Sequence, residues 1–352
     1  MEPPGTKYHV LRSTWHREGT EVSNGISGHP RQYWHLTHDT FNFPAPDKPC
    51  LLPLFPNPSL VDNERNPQAT CPIMRLFVNQ LTVMDFSYLH PVRGLLGESW
   101  QVDIELEGGL DDQGMVLDFG DVKRQVKQLI DEGFDHRLLV PADHPGLTVE
   151  GQRLSFLTDN GQRIRHTGPA EAVQFIPGKE ITPETVTRAI RQALEPRLPD
   201  NVHGMELRLY PEPEEGAWYQ YSHGLKLHCG NCQRIAHGHR SRIRIWRNGV
   251  RDEMLEQLWA GRLRDIYIGT EADMLAITSC RDQTCFRFAY TAEQGDFELE
   301  LPADRCYLMD AESTVENIAR HIRERLEEEH PGDGFRVQAF EGLGKGAISE
   351  SS

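Results

Sequence analysis

The chain concentrates metal-binding residue types in one short segment, residues 221–246. Its sequence, YSHGLKLHCGNCQRIAHGHRSRIRIW, contains an H-G-H motif at the head of a strand-like pattern, so His237 and His239 project to the same face. His223, on the preceding strand, would supply a third imidazole. Three histidines with an open fourth position are typical of catalytic zinc, which polarises a bound oxygen and acidifies its neighbours.

The same segment permits a different kind of zinc site. Cys229 and Cys232 form a C-x-x-C pair, and with two of the histidines they would complete a closed Cys2His2 site. Such a site stabilises a fold but leaves no position for a substrate. The spacing leaves both sites open. Replacing the two cysteines distinguishes them, because only the closed site would then lose its metal.

Periodicity around this segment indicates the elements that must position it. Alternation predicts strands over 75–88 and 99–108, the first with Phe77, Leu81 and Val83 on one face. Helical spacing and further alternation predict helices over 118–133, 182–194 and 313–329, and strands over 205–220, 240–246 and 335–342. The stretch 141–180 is expected to be a loop-rich insertion.

Two intervals indicate an internal repeat. The third helix opens with a predicted capping box, Ser313 with Glu316. The interval from Pro183, at the start of the second helix, to the strand-borne Glu212 nearly equals the interval from Ser313 to Glu341. Matching intervals offset by about 130 residues predict a duplicated β-β-α-β unit.

Two stretches together resemble the 6-pyruvoyl tetrahydropterin synthase / 6-carboxytetrahydropterin synthase family. The zinc segment is similar to the family's in its strand-borne histidine, its cysteine several residues before H-G-H, and the strand that follows. Residues 114–139, GMVLDFGDVKRQVKQLIDEGFDHRLL, resemble the family's D-F motif, helix and Asp-His pair. The resemblance covers about residues 75–348.

The resemblance implies a fold and a domain plan. We expect an α+β protein of two tandem tunnelling-fold domains, each an antiparallel four-stranded sheet with two helices on one face. Residues 1–74, rich in proline and without periodicity, are predicted to be an irregular extension. The first domain, 75–220, would carry the Asp-His pair without zinc ligands, and the second, 221–348, would carry the H-G-H zinc site.

The two halves differ in what they carry. In the first half the family's metal positions align with Tyr88, Leu96 and Glu98, and in the second half the Asp-His pair aligns with Asp304-Arg305. The family's active site lies between subunits, so the resemblance implies composite sites that oligomer packing completes. Three chains would supply six domains, so a homotrimer is the first expectation and another closed oligomer the alternative.

The resemblance also implies a role for each candidate residue. Zinc would take the side-chain hydroxyls of a dihydropterin, a cysteine thiolate would move the proton, an Asp-His dyad would act as acid and base, and a glutamate would hold the amino-pyrimidine edge. These roles fall on His223, His237 and His239 for the metal, Cys232 or alternatively Cys229 for the thiolate, Asp135 and His136 for the dyad, and Glu212 or Glu341 for the pterin. The arginines of residues 240–247 would attract a triphosphate or form a solvated strand face.

Two functions of different classes follow. The first is a zinc-dependent lyase that converts 7,8-dihydroneopterin triphosphate to 6-carboxy- or 6-pyruvoyl-tetrahydropterin, in pterin or queuosine-precursor synthesis. The second is a non-catalytic zinc-stabilised scaffold or pterin-binding regulatory protein derived from such an enzyme. Turnover of a dihydropterin distinguishes the two.

The composition limits the classes of partner. The chain has 352 residues and a net charge of −16, with 37 Lys plus Arg against 53 Asp plus Glu. This balance argues against nucleic acid or an anionic membrane as a partner. Seven cysteines do not suggest a disulfide framework, and no apolar run reaches the length of a membrane helix. We therefore expect a soluble cytoplasmic protein that binds a small molecule and copies of itself.

Overall fold

The computed structural model of the protein describes residues 73–213, 216–280 and 283–352. These residues belong to one unit, Asn66–Ser352. The irregular extension expected at residues 1–74 therefore lies almost wholly outside the described residues. In the described part of the chain, no helix is long and apolar enough to cross a membrane.

The first half of the described chain forms a five-stranded sheet with two helices. Its elements are β1 (Met74–His90), β2 (Gly94–Gly108), α1 (Phe119–Gly133), β3 (Leu138–Pro141), β4 (Leu147–Glu150), β5 (Arg153–Leu157), β6 (Arg163–Thr167), β7 (Val173–Ile176), α2 (Pro183–Leu194) and β8 (Val202–Pro211). The strand order is β7-β3-β1-β2-β8. Val122 and Val126 of α1 and Ile190 of α2 are buried against this sheet in one apolar cluster.

The second half repeats this plan. Its elements are β9 (Trp218–His223), β10 (His237–Arg247), β11 (Val250–Arg251), α3 (Glu253–Arg262), β12 (Ile266–Thr270), β13 (Met274–Cys280), β14 (Gln283–Ala292), β15 (Gly295–Pro302), β16 (Cys306–Met309), α4 (Val315–Glu329), β17 (Phe335–Phe340) and β18 (Gly346–Glu350). The order is β16-β12-β9-β10-β17-β18, with β11 on β10. Its first five positions match those of the first half, strand for strand.

Both sheets differ from the expected four antiparallel strands. The hairpins β1–β2 and β9–β10 and the strands β8 and β17 are antiparallel, as expected. However, β3 and β7 lie parallel to β1, and β12 and β16 lie parallel to β9. The helices α1 and α3 lead into β3 and β12, whereas the strands β4 to β6 and β13 to β15 connect the parallel pairs β3–β7 and β12–β16, so each sheet is mixed.

A third sheet joins the two halves. Each half contributes three strands, in the order β13-β14-β15-β6-β5-β4, and β15 pairs antiparallel with β6. Leu89 and Leu154 from the first half share an apolar cluster with Ile235 and Phe297 from the second. The prediction of a loop-rich insertion at 141–180 is therefore wrong. That stretch forms β4 to β7, which are only four or five residues long and so show little alternation.

One predicted strand face is also wrong. Phe77 is 61% exposed, whereas Val78, Met84 and Phe86 are among the buried residues of β1. Apolar residues occur at both parities of this strand, so alternation did not specify the face that meets the core.

The hairpins β1–β2 and β9–β10 pack against each other near the ends at which their strands are connected. Ser87 Oγ on β1 donates a hydrogen bond to Ser222 Oγ on β9, 2.7 Å away. A Cβ on Gly97 would lie 1.8 Å from the Tyr221 carbonyl oxygen, and one on Gly238 would lie 2.6 Å from the Gly97 Cα. Only glycine permits this approach at both positions, and the approach brings residues of the first half to the H-G-H motif of the second.

Candidate active site

Three buried histidines converge where the hairpin β9–β10 meets the first half. His223 and His237 are directly paired across the two strands, and His239 follows two residues later on the same face. A set of ligand atoms from these three residues lies within 4.8 Å of one another. The three side chains that the sequence predicts as metal ligands, two from the H-G-H motif and one from the preceding strand, therefore come together.

Hydrogen bonds orient two of these rings. Nδ1 of His223 lies 3.0 Å from the Ser313 carbonyl oxygen and 3.1 Å from its hydroxyl, and Nδ1 of His237 lies 2.9 Å from the Arg234 carbonyl oxygen. A carbonyl oxygen only accepts, so each Nδ1 carries the proton and each Nε2 keeps its lone pair.

The residues present fit a zinc ion. The Nε2 atoms of His223 and His239 are buried and form no hydrogen bond with the residues that the structure describes. Burial, and then the neighbouring imidazoles, hold the pKa values of His223 and His237 well below their usual range, so both rings are neutral. Neutral imidazoles with unpartnered buried nitrogens have the donor chemistry that zinc binds.

An aspartate–histidine dyad from the first half faces the histidines. The dyad follows α1, where His136 adopts a left-handed backbone conformation with φ of 54°. The backbone of Asp85 fixes both residues: its N–H donates to Asp135 Oδ1 at 2.8 Å, and its carbonyl accepts from the His136 N–H at 2.6 Å. The His136 ring centroid lies 5.2 Å from that of His237 and 6.2 Å from that of His239.

The imidazole ring of His136 in this dyad is protonated at neutral pH. His136 Nδ1 lies 2.5 Å from Asp135 Oδ2. Burial alone would lower the pKa of His136, but hydrogen bonds to Asp135 and Cys232 outweigh burial and raise it to about 10. A protonated imidazole held by a carboxylate is a proton donor, and it becomes a base after the proton has left.

Of the two cysteines in the C-x-x-C pair, only one lies at this site. Cys232 is half-buried, and its sulfur belongs with His136 and His237 to a second group of ligand-type atoms within 4.8 Å. Cys229 is exposed and belongs to neither group among the described residues. This arrangement does not favour a closed Cys2His2 site.

The two candidate glutamates occupy different surroundings. Glu341 Oε2 lies 3.7 Å from Lys345 Nζ, which lies 3.4 Å from Asp85 beside the histidines. Glu212 instead pairs with Arg242 at 3.0 Å. The other arginines of this strand are also engaged: Arg240 stacks on Trp218, and Arg244 lies over Phe340.

Part of the chain is similar in sequence to a family of known proteins. A sequence model of the 6-pyruvoyl tetrahydropterin synthase family matches residues 83–222. A putative 6-carboxy-5,6,7,8-tetrahydropterin synthase of Pyrococcus horikoshii is 23% identical over 134 residues, which are 38% of this chain and 79% of that protein.

Solved structures of the family were also found. The 6-pyruvoyl tetrahydropterin synthase of Plasmodium vivax is 20% identical, with a TM-score of 0.36, and the match covers 41% of this chain and 94% of that one. The Plasmodium falciparum enzyme is 18% identical, with a TM-score of 0.32, over 39% and 90% of the two chains. The family match contains the Asp135-His136 dyad and ends at residue 222, just before the three clustered histidines.

The strand register identifies the residues of the first half that occupy the positions of the three histidines. Tyr88 pairs with Leu96 across β1–β2 as His223 pairs with His237 across β9–β10. Glu98, two residues after Leu96, corresponds to His239. The register thus agrees with the alignment expected from sequence, and a tyrosine, a leucine and a glutamate cannot reproduce the histidine triad.

The prediction that Asp304-Arg305 is the counterpart of the dyad is wrong. The His136 N–H donates to the Asp85 carbonyl, and in the second half the Asp265 N–H donates to the Gln220 carbonyl at 2.8 Å. Asp265 also has a left-handed φ, 59°, close to that of His136. Arg264-Asp265 therefore holds the dyad positions, whereas Asp304 lies in a short turn before β16.

A polar network fills this counterpart site. Arg93 Nε donates to Asp265 at 2.9 Å, and its Nη2 donates to Gln220 Oε1 at 2.5 Å. Gln220 Nε2 in turn donates to Glu98 at 2.7 Å. These polar groups satisfy one another's hydrogen bonds. They occupy the positions that the histidines and the dyad occupy in the other site.

Several residues of the site escape prediction from sequence. Asp85 lies in a run of strand residues, Lys345 near the polar C-terminus, and Ser313 in an apparent capping box. The box is wrong: α4 begins at Val315, and Thr314 caps it by accepting from the Asn317 N–H, while Ser313 contacts His223. The adjacent Ser-Thr pair was the signal that a second cap was available.

Proposed function

We propose that the protein is a zinc-dependent lyase that converts 7,8-dihydroneopterin triphosphate to 6-carboxy- or 6-pyruvoyl-tetrahydropterin. The observation that carries this proposal is the meeting, within one chain, of the histidine triad with the Asp135-His136 dyad. The family match and the name of the Pyrococcus horikoshii relative support the reaction class.

The residues would divide the work as follows. His223, His237 and His239 would hold zinc, which supplies polarisation of the substrate's side-chain oxygens. The Cys232 thiol would exchange a proton with the substrate carbon, and the protonated His136, held by Asp135, would donate to a developing oxyanion. The hydrogen bond between His136 and Cys232 supports this pairing, since it places the thiol directly beside the acid–base dyad.

Glu341 is the better candidate for the pterin's amino-pyrimidine edge. Its carboxylate lies beside Lys345, which contacts Asp85 next to His239, whereas Glu212 is occupied by Arg242. Strand register also separates the two, because Val102 pairs with Leu209 and Ile243 with Ala339. The counterpart of Glu341 is therefore the residue before Glu212.

We propose two copies of a tunnelling-fold domain, close to the expected 75–220 and 221–348 but divided between β8 and β9, with one composite site per chain. The repeated strand order of the two sheets supports this division. The dyad and the histidines meet without a second chain, so a homotrimer would extend the sheets at their end strands, β8 and β18, rather than complete the site. The five described free cysteines suit a reducing cytoplasm.

The test is turnover of 7,8-dihydroneopterin triphosphate, with products identified by mass. Asp135→Asn and Cys232→Ala are expected to lower kcat by about 10²- to 10⁴-fold with zinc content and circular dichroism unchanged. Cys229→Ala, the exposed neighbour, is the matched control and should retain activity. Wild-type turnover that survives verified zinc removal would reject the zinc lyase, and absence of any turnover would leave a zinc-stabilised scaffold or pterin-binding protein.

A further inference from the structure

Asp85 is a buried carboxylate of the first half that contacts a metal histidine of the second half. Its side chain is 6% exposed, and Oδ1 lies 3.4 Å from Nδ1 of His239. Of the three metal histidines, His239 is the one whose Nδ1 meets a carboxylate, since those of His223 and His237 meet carbonyl oxygens. Asp85 is thus the available acceptor for the Nδ1 proton of His239.

The carboxylate is fixed from several sides. The Ser99 hydroxyl donates to Oδ1, and Lys345 Nζ lies 3.4 Å from Oδ2. A Cβ on Gly342 would lie 2.5 Å from Oδ1, so this position, with φ of +67°, leaves just enough room for the carboxylate. An oriented, charged acceptor holds the ring of a metal-binding histidine in place and raises its basicity.

The counterpart site provides an independent observation. Gln220 occupies the position of Asp85, since both accept the backbone N–H at the dyad position, and Glu98 occupies that of His239. Gln220 Nε2 donates to Glu98 at 2.7 Å. In each half, the same strand position therefore contacts the third metal position of the other half. The side chains are complementary in both cases: Asp85 is an acceptor for the imidazole of His239, and Gln220 is a donor to the carboxylate of Glu98.

We infer that Asp85 is the positioning residue for the metal site, and that through it the first half sets the zinc affinity of the histidines in the second. Asp85 holds the proton of His239 on Nδ1 and turns Nε2 toward the metal. The same residue fixes the dyad through its backbone, so one strand position aligns the metal ligand with the acid–base pair. This inference rests on the proposed function only for the presence of zinc.

The test is the zinc affinity of the full-length protein, measured by competition with a chromogenic chelator. Asp85→Ala is expected to bind zinc about 10- to 100-fold more weakly than wild type, because it keeps the backbone contacts and removes the acceptor. Asp103→Ala is the matched control. Asp103 is another buried strand aspartate, but it bonds to Tyr210 and Arg208, so its loss should leave the zinc affinity unchanged.

A second variant covers the case in which Asp85→Ala does not fold. Asp85→Asn keeps the shape, and with Co²⁺ in place of zinc its visible absorption spectrum should differ from that of wild type, whereas Asp103→Ala should match wild type. Equal zinc affinities and superimposable Co²⁺ spectra for the Asp85 variants and wild type would overturn the inference. A wild-type protein that binds neither metal would instead reject the proposed function.

Discussion

His166 shows at the scale of one residue what burial does to an imidazole away from the metal site. It lies on β6, is 1% exposed, and neither ring nitrogen has a hydrogen-bond partner among the described residues. Burial lowers its pKa from 6.5 to about 4. The folded protein therefore holds this ring neutral over a pH range in which the unfolded chain protonates it.

This shift predicts a loss of stability in mild acid. Well above pH 6.5 the ring is neutral in both the folded and the unfolded state, so its protonation does not change the free energy of unfolding. As the pH falls from about 6.5 to about 4, the unfolded chain binds a proton that the folded protein excludes, so the free energy of unfolding falls by up to about 3 kcal/mol. Denaturant unfolding of apo wild type and His166→Leu across this range measures the difference. A wild-type slope no steeper than that of His166→Leu contradicts the prediction.

At the scale of the element, the start of α4 divides two tasks between adjacent residues. Thr314 accepts from the Asn317 N–H and caps the helix, while Ser313 is 1% exposed and contacts His223 through its hydroxyl and carbonyl oxygens. Because Thr314 caps the helix, Ser313 does not need to do so, and its hydroxyl and carbonyl groups contact His223 instead. A helix begins here because of the cap, and the cap places the carbonyl that orients a ligand.

Two single substitutions separate these tasks. Thr314→Ala should lower the free energy of unfolding by about 1 kcal/mol through loss of the cap, with zinc affinity unchanged. Ser313→Ala should leave the cap intact and weaken zinc binding only slightly, because the carbonyl of residue 313 still accepts from His223. Chemical denaturation and chelator competition on both variants provide the two measurements. A fall in stability with Ser313→Ala as large as that with Thr314→Ala would restore Ser313 as the cap.

At the scale of the whole molecule, the two halves are held together by an ion pair in the counterpart site as well as by the shared sheet. Arg93 of the first half reaches Asp265 and Gln220 of the second. Asp265 is 8% exposed, so it would be left without this cation if Arg93 were shortened.

Arg93→Ala is therefore expected to lower the free energy of unfolding by about 2 kcal/mol. Its zinc content should remain one ion per chain, because Tyr88 and Leu96 offer no imidazole. Arg75→Ala is a suitable control, since its pairing with Glu107 is exposed. Stability equal to that control, or a second zinc bound by the variant, would contradict this account of the filled site.

Local patterns were sufficient for much of this protein. The helix over Pro183–Leu194, the hairpin strands and the H-G-H face follow from spacing and capping within a few residues of one another, whereas the Asp135-His136 pair was identified through the family resemblance. The short strands β4 to β7 and the counterpart Arg264-Asp265 could not be found in this way. Too few residues alternate in the first case, and in the second only backbone pairing relates the positions.

The sequence by itself indicated candidates for the chemistry: the three histidines through ligand type and strand periodicity, which are local properties, and the Asp135-His136 pair through the family resemblance. The tertiary structure decided that the dyad of one half meets the histidines of the other within a single chain, and that Asp85 and Lys345 join them. Those contacts depend on how two hairpins pack tip to tip, through Gly97 and Gly238. Such packing is fixed by surfaces far apart in sequence, which no local pattern encodes.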